Sequence, residues 1–568
     1  MPLMPMTFGP LNRIRRPISQ LFGKSITVWS LVVLAIALLI LTPILVVLSS
    51  VFVDSGEIWA HLTETVLPTY IRNSVWLMLG VGSGVIGLGV STAWLITSCE
   101  FSGRRFFEWA LLLPLAAPAY LLAYVYTDLL DYYGVVQTTL RTLFGWQSST
   151  DYWFPPIRSL GGAIAMFALV LYPYVYLLTR VAFLEQSVCT LEASRSLGCN
   201  PWTSFWKVAL PLARPAIAAG TSLALMETLS DFGTVQYFGV ETFTTGIYRT
   251  WFGMGESAAA AQLSSVLLLF ILILVVLEQW SRRQTRYYQT THPAQQSAAY
   301  SLGRRRTMMA WVICGLPLML GFVIPAIALL QMAIANATDN FTENFWIYGR
   351  NSLVLAVLTA AIGMILALIM AYGRRLQATP VMNTAVRTAA LGYAFPGTVI
   401  AVGILIPIGT IDNALDTWMQ STFGISTGLL LSGTITALVF AYLVRFLAVA
   451  FNAVESSLAR IKPSFDDAAR SLGYSPGQTL LHVHAPLMTS GLLTAAILMF
   501  VDVMKELPAT LIVRPFNFDT LAVQVYRLAS DERLAEAAAP ALAIVAVGIL
   551  PVILLSWGMT HRSSGAKQ

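Results

Sequence analysis

Four carboxylates lie inside stretches that are otherwise almost wholly apolar. Glu227 and Asp231 sit in "METLSDFG", and Asp502 and Glu506 sit in "VDVMKELP", 275 residues further on. Within each pair the spacing of four puts both side chains on one face of a helix. Ionised groups inside a bilayer are costly and ordinarily line a water-filled path or meet a partner charge. Carboxylate oxygens are also hard ligands that suit hard cations, Fe³⁺ among them. These residue types therefore allow a cation path or gate, and direct contact with the cation. The plain alternative is that Lys505 and nearby backbone satisfy them as a structural gate. A helix rising from Leu212 would carry Asp231 about 28 Å along its axis, near the outer face, with Glu227 one turn deeper.

Other patterns carry less chemistry. "GSGVIG" at Gly82–Gly87 matches a dinucleotide fingerprint, but it lies in an apolar run with no preceding strand. Gly80 and Gly84 suit close helix packing instead. "FGKS" at Phe22–Ser25 ends like a phosphate loop, yet Ile18 stands where that loop needs glycine. With no nucleotide-hydrolysing motif, energy must come from a partner or an ion gradient. "YVYTDLLDYYG" (Tyr124–Gly134) offers phenols and carboxylates, and interfacial anchoring is its simpler role. His482 and His484 have no evident third ligand and read as polarity on a helix face. The methionines suit apolar packing, and no residue is assigned as a metal ligand.

The elements that must position these residues are membrane spans. The chain has 568 residues, 57% apolar and 11% charged, with a mean hydropathy of +0.70. Soluble chains carry about a quarter charged residues. Twelve apolar runs are long enough to cross a bilayer. They cover 27–53, 74–97, 108–130, 160–184, 212–231 and 258–280, then 308–334, 352–373, 387–408, 428–451, 489–510 and 537–558. The first is too long for a cleavable signal core. The four cysteines make no disulfide framework. The net charge of +6 suits anionic lipid head groups and gives no hint of a nucleic-acid surface. Arg and Lys cluster before span 1, after spans 2 and 8, in the polar stretch 281–307 and at the end of the chain. The positive-inside rule then places both termini in the cytoplasm.

The chain repeats itself. "YIRNSV" at Tyr70 answers "YGRNSL" at Tyr348, and Pro118 answers Pro396, both at an offset of 278. "EASRSLG" at Glu192 answers "DAARSLG" at Asp467, an offset of 275. Each copy reads as a short helix ended by a glycine, Gly198 or Gly473, followed by a turn and a return to the membrane at Pro211 or Pro486. Six spans per half make the copies parallel, so they form a pseudo-dimer about an axis where a transport path is expected. The divisions are a first half at 1–280 with its elbow at about 185–212, a linker at 281–307, and a second half at 308–568 with its elbow at about 460–487.

The paired elbow resembles the signature cytoplasmic loop of binding-protein-dependent ABC importer permeases. Glu192, Ala193, Gly198, Leu210 and Pro211 keep that pattern in the first copy. Ala468, Ala469, Gly473 and Pro486 keep it in the second, with Asp467 for Glu and Ala485 for Leu. The stretches 226–263 and 501–529 are similar to those of fused two-half permeases for ferric iron, and thiamine, phosphonate, polyamine and sulfate permeases share much of the pattern. The resemblance implies an all-α, type I importer fold with about twelve transmembrane helices, in the bacterial inner membrane. It also implies two copies of a cytoplasmic ATPase docked at Glu192, Ala193, Gly198 and Pro211 and at Asp467, Ala468, Gly473 and Pro486. A periplasmic binding protein would deliver the substrate. The chain itself would be no enzyme and would hold no cofactor, the ATP being used by its partner. A proton-coupled secondary transporter and a membrane scaffold remain the rival readings.

Overall fold

Two prolines at matching places set the architecture. The computed structural model describes residues 28–53, 56–185, 196, 198, 200–283 and 300–565. In the first half the long helices are α1 (Val28–Ser49) and α2 (Leu67–Ser98), with α3 (Arg104–Ala110) as a short offshoot. They are followed by α4 (Ala119–Leu130), α5 (Leu160–Glu185), α6 (Leu210–Ser230), the short α7 (Gly233–Tyr237) and α8 (Ser257–Arg283). The second half opens with α9 (Arg304–Leu318), α10 (Ile324–Ala335), α11 (Glu343–Leu376), α12 (Pro380–Ala389) and α13 (Gly397–Phe423). It ends with α14 (Ile435–Leu458), α15 (Ser464–Ser471), α16 (Thr489–Met504), α17 (Pro508–Val513) and α18 (Leu534–Gly565). Among the described residues the only strands are two-residue pieces, Cys99–Glu100 pairing in parallel with Tyr300–Ser301.

Among the described residues ten helices are long and apolar enough to cross a membrane, or up to twelve if each bent pair is one span. The expected third span at 108–130 is instead broken. Residues 104–116 turn through 90° before the helix resumes at Ala119, because Pro118 is extended and begins the new helix. Pro396 does the same before α13, so the ninth span runs Gly397–Phe423 rather than 387–408. Proline disfavours helix in the residue before it and cannot donate to the preceding turn, which suits it to start a helix and not to continue one.

Three π segments precede prolines by the same step. Phe205–Ala209 comes before Pro211, Met319–Val323 before Pro325 and Leu480–His484 before Pro486. A proline ring collides with the carbonyl four residues back, and widening the turn moves that carbonyl aside.

The first helix of each half packs on the other half. The backbone of α1 touches α13 so closely that a Cβ on Gly403 would lie 2.3 Å from the Pro43 carbonyl oxygen. In return, Gly321 between α9 and α10 leaves room for the Leu169 carbonyl on α5, and Tyr126 donates to the Leu320 carbonyl at 2.6 Å. Gly80 and Gly84 do pack α2 against Ile164 and Ala168 of α5. In the aromatic stretch Tyr124 and Tyr126 are buried, so interfacial anchoring is left to exposed Tyr133.

Gly548 on α18 faces the first half, where an added Cβ would lie 2.0 Å from the Ala116 carbonyl oxygen. Gly548→Ala is expected to destabilise by about 1–3 kcal/mol through overpacking. Gly409, with open space around it, is expected to tolerate alanine or gain up to about 1 kcal/mol in helix propensity. Thermal unfolding of both variants in detergent checks this; equal shifts would remove the packing argument.

Candidate functional site

All four carboxylates line one cavity of about 110 Å³ between the halves. They are not equivalent there. Helix α6 ends at Ser230, and Asp231 has left the helix with φ −70° and ψ 140°. It therefore does not share a helix face with Glu227 as the spacing suggested. Its carboxylate accepts hydrogen bonds from the Thr234 and Val235 amides at 2.8 and 3.4 Å, and from the Thr234 hydroxyl at 3.2 Å. Glu506 does the same after α16, accepting from the Ala509 and Thr510 amides at 2.9 and 3.0 Å and the Thr510 hydroxyl at 2.7 Å. Both acids thus cap the short helix that follows, satisfying amides that have no partner in their own first turn.

The other two carboxylates meet cations. Asp502 pairs with Lys505 at 3.0 Å. Glu227 lies 3.9 Å from Arg445, which also donates to Glu506 at 2.8 Å. Arg445 was not singled out by the sequence reading, although a lone arginine within "FAYLVRFLAV" is the kind of intramembrane charge that marks a site. Among the described residues its ion pairs join a first-half acid, Glu227, to a second-half acid, Glu506, across this cavity. Gly397 makes room for it, since a Cβ there would lie 2.5 Å from Arg445 Nη1 and 2.6 Å from Glu506 Oε1. Tyr174 and Tyr393 also face each other across the halves, their hydroxyls 3.5 Å apart. Four acids and two bases leave the lining with a formal charge of −2. Among the described residues no group of three or more His, Cys, Asp or Glu could hold a metal ion.

The elbows are the second candidate region. In the first, Glu192 and Ala193 lie outside the described residues. Gly198 is left-handed at φ +80°, and Pro211 sits in the first turn of α6. In the second, Asp467 and Ala468 are exposed on α15, and Asp467 meets Arg470 at 3.5 Å. Gly473 is left-handed at φ +82° and closes α15, the Gly473 amide bonding Arg470 and the Tyr474 amide bonding Ala469, both at 3.0 Å. This is the paired arrangement of a Schellman cap. Pro476 follows a capping box between Ser475 and Gln478, and Pro486 stands just before the chain bends through 81° into α16. Apolar side chains stand out to solvent on both elbows, Trp202 and Trp206 on the first and Leu472 and Leu481 on the second.

His484 corrects the sequence reading. It is fully buried rather than on a polar helix face, and its Nε2 lies 2.9 Å from Asp466. Arg375 meets the same carboxylate at 2.6 Å. Burial alone would raise the Asp466 pKa, but the hydrogen bonds from Arg375 and His484 outweigh it and hold that carboxyl below its ordinary value. His482 remains exposed, with Nδ1 3.0 Å from the Gln478 carbonyl.

Comparison with known proteins adds an independent line. Residues 85–287 match the family model described as "Binding-protein-dependent transport system inner membrane component". The Fe(3+)-transport system permease protein FbpB 2 of Haemophilus influenzae is 26% identical over 490 residues, covering 85% of this chain and 89% of that relative. A putative ferric transport system permease protein, FbpB 1, of the same organism is 24% identical over 527 residues, 87% of this chain and 78% of the relative. The molybdenum transport system permease protein ModB of Escherichia coli is 29% identical over 150 residues, 26% of this chain and 62% of that protein.

The distances rank the acids. Glu506→Gln removes the near partner of buried Arg445, and breaking such a pair costs about 3–5 kcal/mol. Glu227→Gln removes only the farther contact and is expected to cost clearly less. Thermal unfolding of the two purified variants checks the order; a larger loss for Glu227→Gln would reverse the assignment.

Proposed function

We propose that this chain, which is an ABC-type permease of the binding-protein-dependent family and a multi-pass inner-membrane protein, carries ferric iron delivered by a periplasmic binding protein. The observation that carries the reading is the likeness to a ferric permease along 85% of the chain. A cavity lining with net negative charge, between the two halves, agrees with a cationic cargo. Two copies of a cytoplasmic ATPase dock on the two elbows, which places both termini in the cytoplasm. The chain holds no cofactor, and ATP is used by the partner. The repeat divides it into permease halves at 1–280 and 308–568.

In this cycle ATP closes the ATPase pair, the elbows follow, and the halves rock to open the cavity outward. Hydrolysis returns them. Glu227, Asp231, Asp502 and Glu506 line the path or gate, Asp231 and Glu506 by holding the local backbone and Glu227 and Asp502 through cations that an arriving charge can displace. One observation favours a second reading. Arg445 and Lys505 also line the cavity, and two cations suit an anionic solute such as sulfate or 2-aminoethylphosphonate, for which partly similar permeases are named.

Reconstitution with the ATPase and carrier decides between these. Ferric-loaded carrier is expected to stimulate hydrolysis and iron uptake well above empty carrier; equal stimulation removes iron, and stimulation by a carrier loaded with sulfate or phosphonate supports the second reading. Uptake driven by a proton gradient without ATPase would overturn both. Gly198→Val and Gly473→Val each force a branched side chain into a left-handed backbone, a strain of about 1–2 kcal/mol. Each is expected to lower carrier-stimulated hydrolysis while leaving the variant in the membrane.

A further inference from the structure

The second elbow is fastened to the membrane helices by a charged cluster whose three residues are not repeated at the matching positions of the first half. Asp466, on α15, receives two hydrogen bonds from one guanidinium, Arg375 Nη2 at 2.6 Å and Nε at 3.1 Å. The same carboxylate takes His484 Nε2 at 2.9 Å. Arg375 stands in the last turn of α11 and also donates to the carbonyls of Leu458 and Ile461, at 2.7 and 2.9 Å, where α14 ends. Its neighbour Arg374 pairs with Glu455 on α14. His484 closes the π segment that leads into α16, with its ring 5.4 Å from that of Tyr372 on α11. One cluster therefore joins the ends of α11 and α14, the elbow helix and the π segment that precedes the bend into α16. It is well shielded, with Arg375, Asp466 and His484 side chains 17%, 13% and 0% exposed.

At the same offsets the first half has Thr97 for Arg375, Leu191 for Asp466 and Ala209 for His484. None of these ionises, and the Thr97 hydroxyl donates within its own helix, to the Ala93 carbonyl at 2.8 Å.

We propose that Asp466, Arg375 and His484 are positioning residues that make the second elbow a stiff lever. The inference rests on the reading that the ATPase acts at the elbows. A joint held by several charge-assisted hydrogen bonds moves as one piece with the helices it grips, whereas a joint without them deforms under load. One of the gripped helices, α14, carries Arg445 about 20 Å further along, at the bridge between Glu506 and Glu227. Motion at the second elbow thus has a rigid route to the cavity, through Asp466, Arg375 and the end of α14.

The test uses the full chain in proteoliposomes with its ATPase and ferric-loaded carrier, and reads iron taken up per ATP hydrolysed. Asp466→Asn is expected to lower that ratio about tenfold, the scale of a lost charge-assisted hydrogen bond. The ATPase is expected to co-purify with this variant as with wild type, since exposed Asp467 and the apolar face of the elbow are untouched. Arg375→Lys keeps the charge but loses the fork and is expected to lower the ratio less. Asp466→Glu keeps the carboxylate and is expected to recover part of the coupling. A merely structural role would lower uptake and hydrolysis together, leaving the ratio at the wild-type value, and that result overturns the proposal. If Asp466→Asn does not reach the membrane, the ratio for Arg375→Lys decides alone. Absence of carrier-stimulated hydrolysis in the wild type would instead overturn the functional reading and this inference with it.

Discussion

A guanidinium held inside a membrane protein constrains everything near it. Arg445 is buried, and its ion pair with Glu506 is held in place from several sides. The carboxylate is fixed by the first amides of α17, and Thr510, which it also holds, meets the Tyr442 hydroxyl at 2.7 Å. Gly397 lacks a side chain where one would strike the pair. Such a pair is poor evidence of added stability, because taking two charges out of water costs as much as their attraction returns. Its persistence here is better understood as a fixed charge placed between the halves, within reach of the first half's Glu227.

The duplication supplies symmetry, and side chains break it. Asp231 and Glu506 perform the same capping task in the two halves. The cations do not repeat, since Ser230 stands opposite Lys505 at the offset of 275 and both bases come from the second half. The elbows differ in residue type too, since Asp466, Arg375 and His484 stand where the first half has Leu191, Thr97 and Ala209. A fused chain can hold such differences, because each half always meets the other and never a copy of itself. The exchange of α1 and α9 between halves has a related consequence, since each half is packed in part by the first helix of the other.

Much of this was legible in the residues because it depends on local rules. Apolar runs announce membrane helices, since lipid leaves a backbone no partner but itself. Glycine announced the elbow turns at Gly198 and Gly473, since it acts on the backbone where it stands, whereas the breaks at Pro118 and Pro396 fell inside the expected spans 108–130 and 387–408 and appeared only in the fold. The repeat, visible as matched motifs, located paired acids and paired elbows. What those acids do was not legible. A spacing of four implied one helix face for Glu227 and Asp231, but α6 stops one residue short because the Asp231 side chain caps the next helix.

Sequence alone therefore determined the class of molecule, its twofold repeat, the elbows and the presence of charge in the membrane, all matters of composition and short-range pattern. Tertiary structure decided the partners. That Arg445 reaches Glu506 across 61 residues, or that Arg375 grips Asp466 across 91, is set by how helices pack. Those separations carry no periodic signal, and a buried charge reveals its role only when the group that compensates it is brought beside it.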